Sequence, residues 1–172
     1  MNFMINIVLY EPEIPQNTGN IMRTCAGTGT KLHLIKPLGF SLDEKAIKRS
    51  GVNYISFCEY TVYEDFDDFL EKNSGDFYYL TRYGTKDYCD FDYSDSSKNI
   101  YLIFGKESTG IPKEILKSHL DNCARIPIND NIRALNVSNS VAIVLFEVLR
   151  QQKFGNLLHY DTQKGIDYLT KE

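Results

Sequence analysis

No stretch of this 172-residue chain approaches the roughly 18 consecutive apolar residues that a membrane helix needs. The opening run MNFMINIVLY turns polar at Glu11 and Pro12 with no basic segment before it, so a secretory leader is not expected. The cytoplasm is the expected compartment, with no membrane partner. Histidine is scarce, and His33, His119 and His159 lie far apart. The four cysteines (Cys25, Cys58, Cys89, Cys123) form no CxxC or CxH pair. No cluster therefore has metal-ligand spacing, and no metal is expected. Disulfides would be unusual in a cytosolic chain, and isolated cysteines in apolar segments serve mostly as small core hydrophobes. His33, inside the apolar run LHLI, reads as structural.

Excess positive charge is lacking too: 19 Lys and Arg against 23 Asp and Glu give a net charge of -4. That balance argues against a large nucleic-acid footprint without excluding local patches. Lys45, Lys48 and Arg49 form one small basic group, and Arg82 with Lys86 a second. Each is equally readable as a solvated face. The familiar nucleotide signatures fail as well. GKES at residues 105–108 resembles the end of a Walker A loop, but position 100 is Ile where that motif needs Gly. GTG at residues 27–29 begins a dinucleotide fingerprint, yet position 32 is Leu and the segment follows a helix. Neither a GxSxG elbow nor a Cys-His pair supports acyl transfer.

What is present is the composition of an ordinary globular domain, 42% apolar and 24% charged. The length suits a single domain with one sizeable core. Short apolar runs at Ile5–Tyr10, Lys31–Lys36, Tyr54–Cys58, Phe77–Thr81, Asn99–Phe104 and Ala124–Ile128 predict strands. Helices are predicted over Thr18–Ala26, Asp43–Arg49, Tyr63–Lys72, from Pro112 to Lys117 and over Val137–Gln151. The acidic, Ser-rich stretch Asp87–Lys98 reads as a surface loop. Val141, Ile143, Val144, Leu145, Phe146, Val148 and Leu149 cover nearly the whole circumference of the last helix, which predicts burial on more than one side and a partner subunit. Strands alternating with helices indicate an α/β single domain with a mostly parallel sheet and helices on both faces.

In such sheets ligands sit beyond the carboxyl ends of strands. Three Asn-, Gly- or Arg-rich loops meet that description. NTGNIMRT carries Asn17, Gly19, Asn20 and Arg23; FGKESTGIP carries Gly105, Glu107 and Gly110; IPINDNIRALNVSNS carries Arg133, Asn136, Ser138 and Asn139. Each has a plain structural reading. Strand-end glycines form turns, Glu107 could be a solvated carboxylate, and Asn136 or Ser138 could cap the last helix. On the residues alone, the chain is an α/β ligand-binding domain of neither the Walker nor the Rossmann type.

In this order the segments INIVLYEPEIPQNTGNIMRTCAGTG, IFGKESTGIP and RIPINDNIRALNVSNSVAIVLFE resemble the three motifs of the SPOUT superfamily of trefoil-knotted methyltransferases. Within it they are similar to the wobble-position tRNA 2'-O-methyltransferases, over about Asn6 to Arg150. The resemblance implies a SPOUT domain over residues 1–154 with a C-terminal trefoil knot, an exception to ordinary chain topology; the polar stretch over 155–172 reads as a loosely held tail. It implies a homodimer through the C-terminal helix and knot region. The implied cofactor is S-adenosyl-L-methionine, cradled by backbone around Leu80, Gly105, Ile126 and Ala134, with Glu107, Leu135 and Asn136 in the same site. Gly105 is expected to leave room for the adenosyl group. Ala134 stands where relatives often carry Ser, and Phe146 where they often carry Tyr.

The implied catalytic group is Arg23, Asn17, Asn20 and Ser138. Arg23 occupies the position assigned to activating the ribose 2'-hydroxyl. A guanidinium with a pKa above about 12 is a poor base, so stabilisation of the forming alkoxide is the expected role. Asn17 and Asn20 would position it, Asn136 and Ser138 would hold the facing loop, and Glu107 would order the knot loops. The implied substrate is the anticodon loop of certain tRNAs, methylated at position 34 (cytidine or modified uridine). The first motif opens at Asn17, so a separate N-terminal RNA-binding domain is not expected. Three other readings stand beside this one: a methyltransferase of the same fold acting on ribosomal RNA or another tRNA position, a non-catalytic RNA-binding dimer, and an α/β enzyme for an unrelated nucleotide.

Overall fold

The computed structural model describes residues 4–42 and 55–171. Within it the apolar runs become strands β1 (Ile5–Tyr10), β2 (Lys31–Ile35), β3 (Tyr60–Tyr63), β4 (Asp76–Leu80), β5 (Lys86–Asp87), β6 (Ile100–Phe104) and β7 (Cys123–Arg125). They form one sheet in the order β3-β2-β1-β6-β4-β7-β5, with every pairing parallel. Four helices join them: α1 (Pro15–Thr28), α2 (Phe66–Lys72), α3 (Lys113–Lys117) and α4 (Val137–Gln151).

Successive side chains of a strand point to opposite faces, and the sheet is apolar on both. Ile7, Leu9, Leu32, Leu34, Leu102 and Phe104 pack with Ile21 and Met22 of α1 and Val141, Val144, Leu145 and Val148 of α4. Their neighbours in sequence, Val8, Ile35, Tyr101 and Ile103, join Tyr79, Phe69 of α2 and Leu116 of α3 in a second cluster on the other face. This is the expected arrangement of helices on both faces of a parallel sheet. Cys25, Cys58 and Cys123 are buried free thiols, as expected of core cysteines, whereas Cys89, in the polar segment CDFD, is exposed.

His33 is structural, and the sheet shows how. It is 1% exposed, with Nδ1 2.8 Å from the Tyr63 hydroxyl and Nε2 3.0 Å from Oδ1 of Asn6. Asn73 reaches the same hydroxyl at 3.2 Å. The rings of Tyr63, Phe69 and Tyr101 surround the imidazole. Burial lowers the His33 pKa from 6.5 to about 4, so the ring is neutral at pH 7.

Several boundaries differ from the sequence expectation. Helix α1 starts at Pro15 rather than Thr18, because proline is at home in a first turn. Of the strand expected over Tyr54–Cys58, residues Ile55–Phe57 form a 3-10 turn, and the aromatic and β-branched YTVY makes the strand instead. Helix α2 therefore starts at Phe66, where the Asp65 carboxylate accepts the Asp68 N–H at 2.8 Å. The stretch Asp87–Lys98 is not a plain surface loop. Asp87 ends β5, and Tyr93 is 1% exposed, packed edge-on to Tyr78 at 4.8 Å. Strand β7 ends at Arg125, short of Ile128. The expected helix over Asp43–Arg49, with its basic group, lies outside the described residues.

Candidate functional site

After β1 the chain builds β2 and β3 outward on one side, then returns to lay β6 on the other side of β1. The connections leaving β1 and β6 must diverge, and the crevice between them is where open parallel sheets bind ligands. Two loops meet across it: residues 11–14 after β1 and 105–112 after β6.

The second loop is a tight turn. Lys106 and Gly110 bridge in antiparallel fashion, and the Gly110 N–H donates to the Lys106 carbonyl at 2.8 Å. A Cβ on Gly105 would lie 2.1 Å from the carbonyl carbon of Gly110 and 2.2 Å from the nitrogen of Ile111. The expected reason for this glycine is thereby corrected: the turn's own returning backbone fills the space. Gly110 closes the turn at φ +76°, a left-handed conformation that glycine adopts without strain.

The turn is clasped to the start of α1. Ile14, at the N-cap position, offers no capping side chain, and a helix start has unsatisfied N–H groups and a partial positive charge. Glu107 supplies what is missing from across the crevice. One carboxylate oxygen accepts the Glu13 N–H at 2.8 Å, and the other accepts the Ile14 N–H at 3.3 Å and the Asn17 side-chain N–H at 2.9 Å. The reverse link comes from Glu13, whose carboxylate accepts the Ser108 N–H at 2.8 Å and hydroxyl at 2.9 Å. Those bonds hold the Glu13 carboxyl below its usual pKa. Lys106 and Glu11 form an ion pair at 2.7 Å, and the hydrogen bond raises the Lys106 pKa.

A third loop, between β7 and α4, joins through Asn136. Its Nδ2 donates to Oδ1 of Asn17 at 3.0 Å, while its Oδ1 accepts the Ser138 N–H at 2.9 Å and the Ser138 hydroxyl at 2.6 Å. Asn136 is thus the N-cap of α4, as its plain reading allowed, and also one end of a Glu107–Asn17–Asn136 chain joining all three loops. Asn17 is 7% exposed and sits at the centre.

Between the clasp and the carboxyl ends of β4, β6 and β7 lies a cavity of about 780 Å³, a volume suited to a small ligand. Of the residues singled out in the sequence, Asn17, Leu80, Arg82, Gly105, Glu107, Gly110, Ile126, Arg133, Ala134, Leu135 and Asn136 line it. Asn20, Arg23 and Ser138 of the implied catalytic group do not. The first two lie one and two helical turns beyond Asn17, exposed on α1, and the Ser138 hydroxyl is engaged with the α4 cap. Residues that the sequence reading did not place in the site also line it: Thr81 and Tyr83 after β4, Lys106, and Arg125 at the end of β7. The strand-end rule would have found Thr81 and Arg125, had it been applied to β4 and β7 residue by residue. Arg125 keeps Nε buried without a protein partner. Four basic residues (Arg82, Lys106, Arg125, Arg133) and one acidic residue, Glu107, border the cavity, so its charge is opposite to that of the whole chain.

Residues 4–146 match the model of the SpoU rRNA methylase family. The chain belongs to that family. It is 56% identical over 154 residues to a Listeria innocua protein named as a tRNA (cytidine(34)-2'-O)-methyltransferase, covering 89% of this chain and 91% of that one. An RNA methyltransferase of Bacillus anthracis superposes with TM-score 0.87 at 49% identity, over 91% of this chain and 99% of the other. A structure concerned with 2'-OH methylation of C/U34 on tRNA superposes with TM-score 0.80 at 34% identity, over 89% and 99%. An AdoMet-bound rRNA methyltransferase from Sinorhizobium meliloti superposes with TM-score 0.75 at 25% identity, over 87% of this chain and 57% of that one.

Proposed function

We propose that this protein is an S-adenosyl-L-methionine-dependent tRNA ribose 2'-O-methyltransferase acting on the wobble nucleotide, cytidine or modified uridine 34, in the anticodon loop of certain tRNAs. The observation that carries the reading is the clasped cavity at the switch point, in a chain over half identical to a protein named for that activity. The residues present fit the cofactor. The cavity is large enough, its floor is formed at the ends of three strands, and the buried Nε of Arg125 is a donor with no protein acceptor. Leu80, Gly105, Ile126, Ala134 and Leu135 would hold it, with Glu107 and Asn136 fixing the walls. The bound cofactor supplies an electrophilic methyl group.

The chain's own task is to orient the ribose and manage the proton of its 2'-hydroxyl. Asn17, Asn20 and Arg23 recur at three-residue intervals, a stripe that climbs α1 from the buried clasp to solvent. A guanidinium is a poor base, so Arg23 stabilises the alkoxide as the proton leaves and does not accept that proton. Asn17 and Asn20 position this side of the helix, and Ser138 steadies the α4 cap.

The same reading takes residues 1–154 as the catalytic domain, 155–172 as an appended tail, and the β7–α4 segment as part of a trefoil knot. Two copies associate through α4, where Phe146 is 47% exposed although Val144, Leu145 and Val148 beside it are fully buried. The protein acts in the cytoplasm, where its substrate is. The test is methyl transfer to total tRNA followed by nucleoside mapping, beside mapping of tRNA from a strain lacking the protein. A 2'-O-methyl group at position 34 that depends on the protein is expected; an unchanged position 34 overturns the assignment. Arg23→Ala should lose turnover with cofactor and tRNA saturating, and near-normal turnover would remove Arg23 from its role. Sedimentation should give twice the chain mass of 19.8 kDa.

A further inference from the structure

One exposed aromatic stands on the cavity wall. Tyr83 is 66% exposed yet lines the cavity together with Arg82 and Thr81. The other exposed aromatics of the described residues, Phe57, Tyr60, Phe146, Tyr160 and Tyr168, lie away from it. A single tyrosine in water needs no explanation, but this one is held in place. The Thr81 N–H donates to the Ala124 carbonyl at 2.9 Å, and the Gly84 N–H closes the turn onto the Thr81 carbonyl at 3.2 Å. The Tyr83 N–H reaches the Thr81 hydroxyl at 3.3 Å. Gly84 is buried so closely against β7 that a Cβ there would lie 2.8 Å from the carbonyl carbon of Ala124. The turn is therefore seated on the sheet while its tyrosine faces solvent.

The surroundings are cationic. The Arg82 guanidinium lies 4.7 Å from the centre of the Tyr83 ring and donates to its hydroxyl at 2.6 Å. Arg125 and Arg133 border the same cavity. A rigid aromatic ring beside several cations is what an unpaired nucleobase and its phosphates need: the ring takes the base by stacking, the cations take the backbone. A small cofactor enclosed by strand ends does not require an aromatic that remains mostly in water.

We propose that Tyr83, held under Arg82 on the Thr81–Gly84 turn, is the stacking platform for an unpaired base of the RNA substrate, next to the ribose presented to the cavity. The inference rests on the RNA-methylating function proposed above. The platform sets affinity for RNA, not for the methyl donor. Stacking tolerates any base, so Tyr83 holds the loop while selection among bases falls elsewhere.

The experiment uses the full chain with unmodified tRNA. It measures tRNA affinity and KM, S-adenosylhomocysteine affinity by calorimetry, and the fluorescence of 2-aminopurine placed beside the methylated nucleotide. Tyr83→Ala should weaken tRNA binding and raise KM by on the order of tenfold, the usual loss for one base–aromatic stack. S-adenosylhomocysteine affinity and melting temperature should stay unchanged. Tyr83→Trp should restore tRNA affinity, and 2-aminopurine should be quenched by the parent and Tyr83→Trp but not by Tyr83→Ala. Unchanged tRNA affinity in Tyr83→Ala, with the parent active, overturns the platform alone. Loss of S-adenosylhomocysteine affinity overturns it in favour of a cofactor wall. A parent protein that neither binds nor methylates tRNA removes the functional reading as well.

Discussion

Two polar chains run through this molecule, one buried and one only partly so, and they are built from similar parts. One links Asn6, His33, Tyr63 and Asn73 between β1, β2, β3 and α2. The other links Glu107, Asn17 and Asn136 across three loops. In the first, aromatic rings close around the imidazole, and both ring nitrogens have protein partners. In the second, all three residues also line a cavity bordered by unequal charge. The difference lies in the surroundings. A polar chain sealed by aromatics specifies how strands pack, whereas one that borders open space holds loops around a ligand. Breaking the first should cost stability and spare activity; breaking the second should cost activity as well as stability.

The largest effect should follow from Glu107→Gln. Its carboxylate accepts three N–H groups, and an amide must turn its own NH2 toward at least one donor. Hydrogen bonds to a charged group contribute about 1.5–3 kcal/mol each, so melting should fall by several degrees. Because α1 and the turn would lose their common anchor, turnover should fall on the order of a hundredfold, the scale of a small misplacement in an active site. Methyl-transfer kinetics with thermal melts check this, and near-parental turnover would show the clasp to be dispensable.

The sealed chain should respond to pH instead. His33 has its pKa lowered from 6.5 to about 4 by burial. Between those values the unfolded chain binds a proton that the folded chain refuses, so stability falls as pH drops from about 6.5 to 4 and is full above that window. At about 1.4 kcal/mol per pKa unit, the loss approaches ~3 kcal/mol. Urea melts across this range should show the slope, and His33→Gln should flatten it. The variant should lose stability at pH 7 while its turnover, measured below its melting temperature, stays near that of the parent.

These two chains were unequally legible in the sequence. His33 in LHLI was readable as structural because an imidazole amid apolar residues of a strand has to be satisfied inside the core, but its partners at Asn6 and Tyr63 depend on strand register. The three loops of the site were readable from their glycines, asparagines and position after apolar runs. That Glu107 caps α1 was not, because capping is normally local and this carboxylate comes from about ninety residues away. Tyr83 was missed for a related reason: an aromatic beside a glycine looks like part of a turn until β7 is seen to seat that turn. Strand β3 was misplaced because ISFC and YTVY are both plausible short strands, and pairing with β2 decides between them.

A smaller effect should come from the outer edge of the clasp. Lys106 and Glu11 pair at 2.7 Å but remain 29% and 20% exposed, and such pairs contribute less than about 1 kcal/mol, with salt screening part of that. Lys106→Met should therefore shift melting by a degree or two at low salt and less at high salt, in contrast to Glu107→Gln.

The smallest expected effect is at Ala134, which borders the cavity beside Leu135 and Asn136. The resemblance implies that this segment between β7 and α4 meets the ligand through its backbone, and a peptide group donates and accepts identically whether the side chain is methyl or hydroxymethyl. Ala134→Ser should leave S-adenosylhomocysteine affinity within about twofold of the parent, since a net gain of even one neutral hydrogen bond, ~1 kcal/mol, would already approach tenfold. Calorimetry resolves the two cases. A several-fold gain would mean that a hydroxyl at this position binds the ligand directly, making the wall of the open chain a side-chain surface; the expected flat response keeps it a backbone one, with Glu107, Asn17 and Asn136 supplying the order.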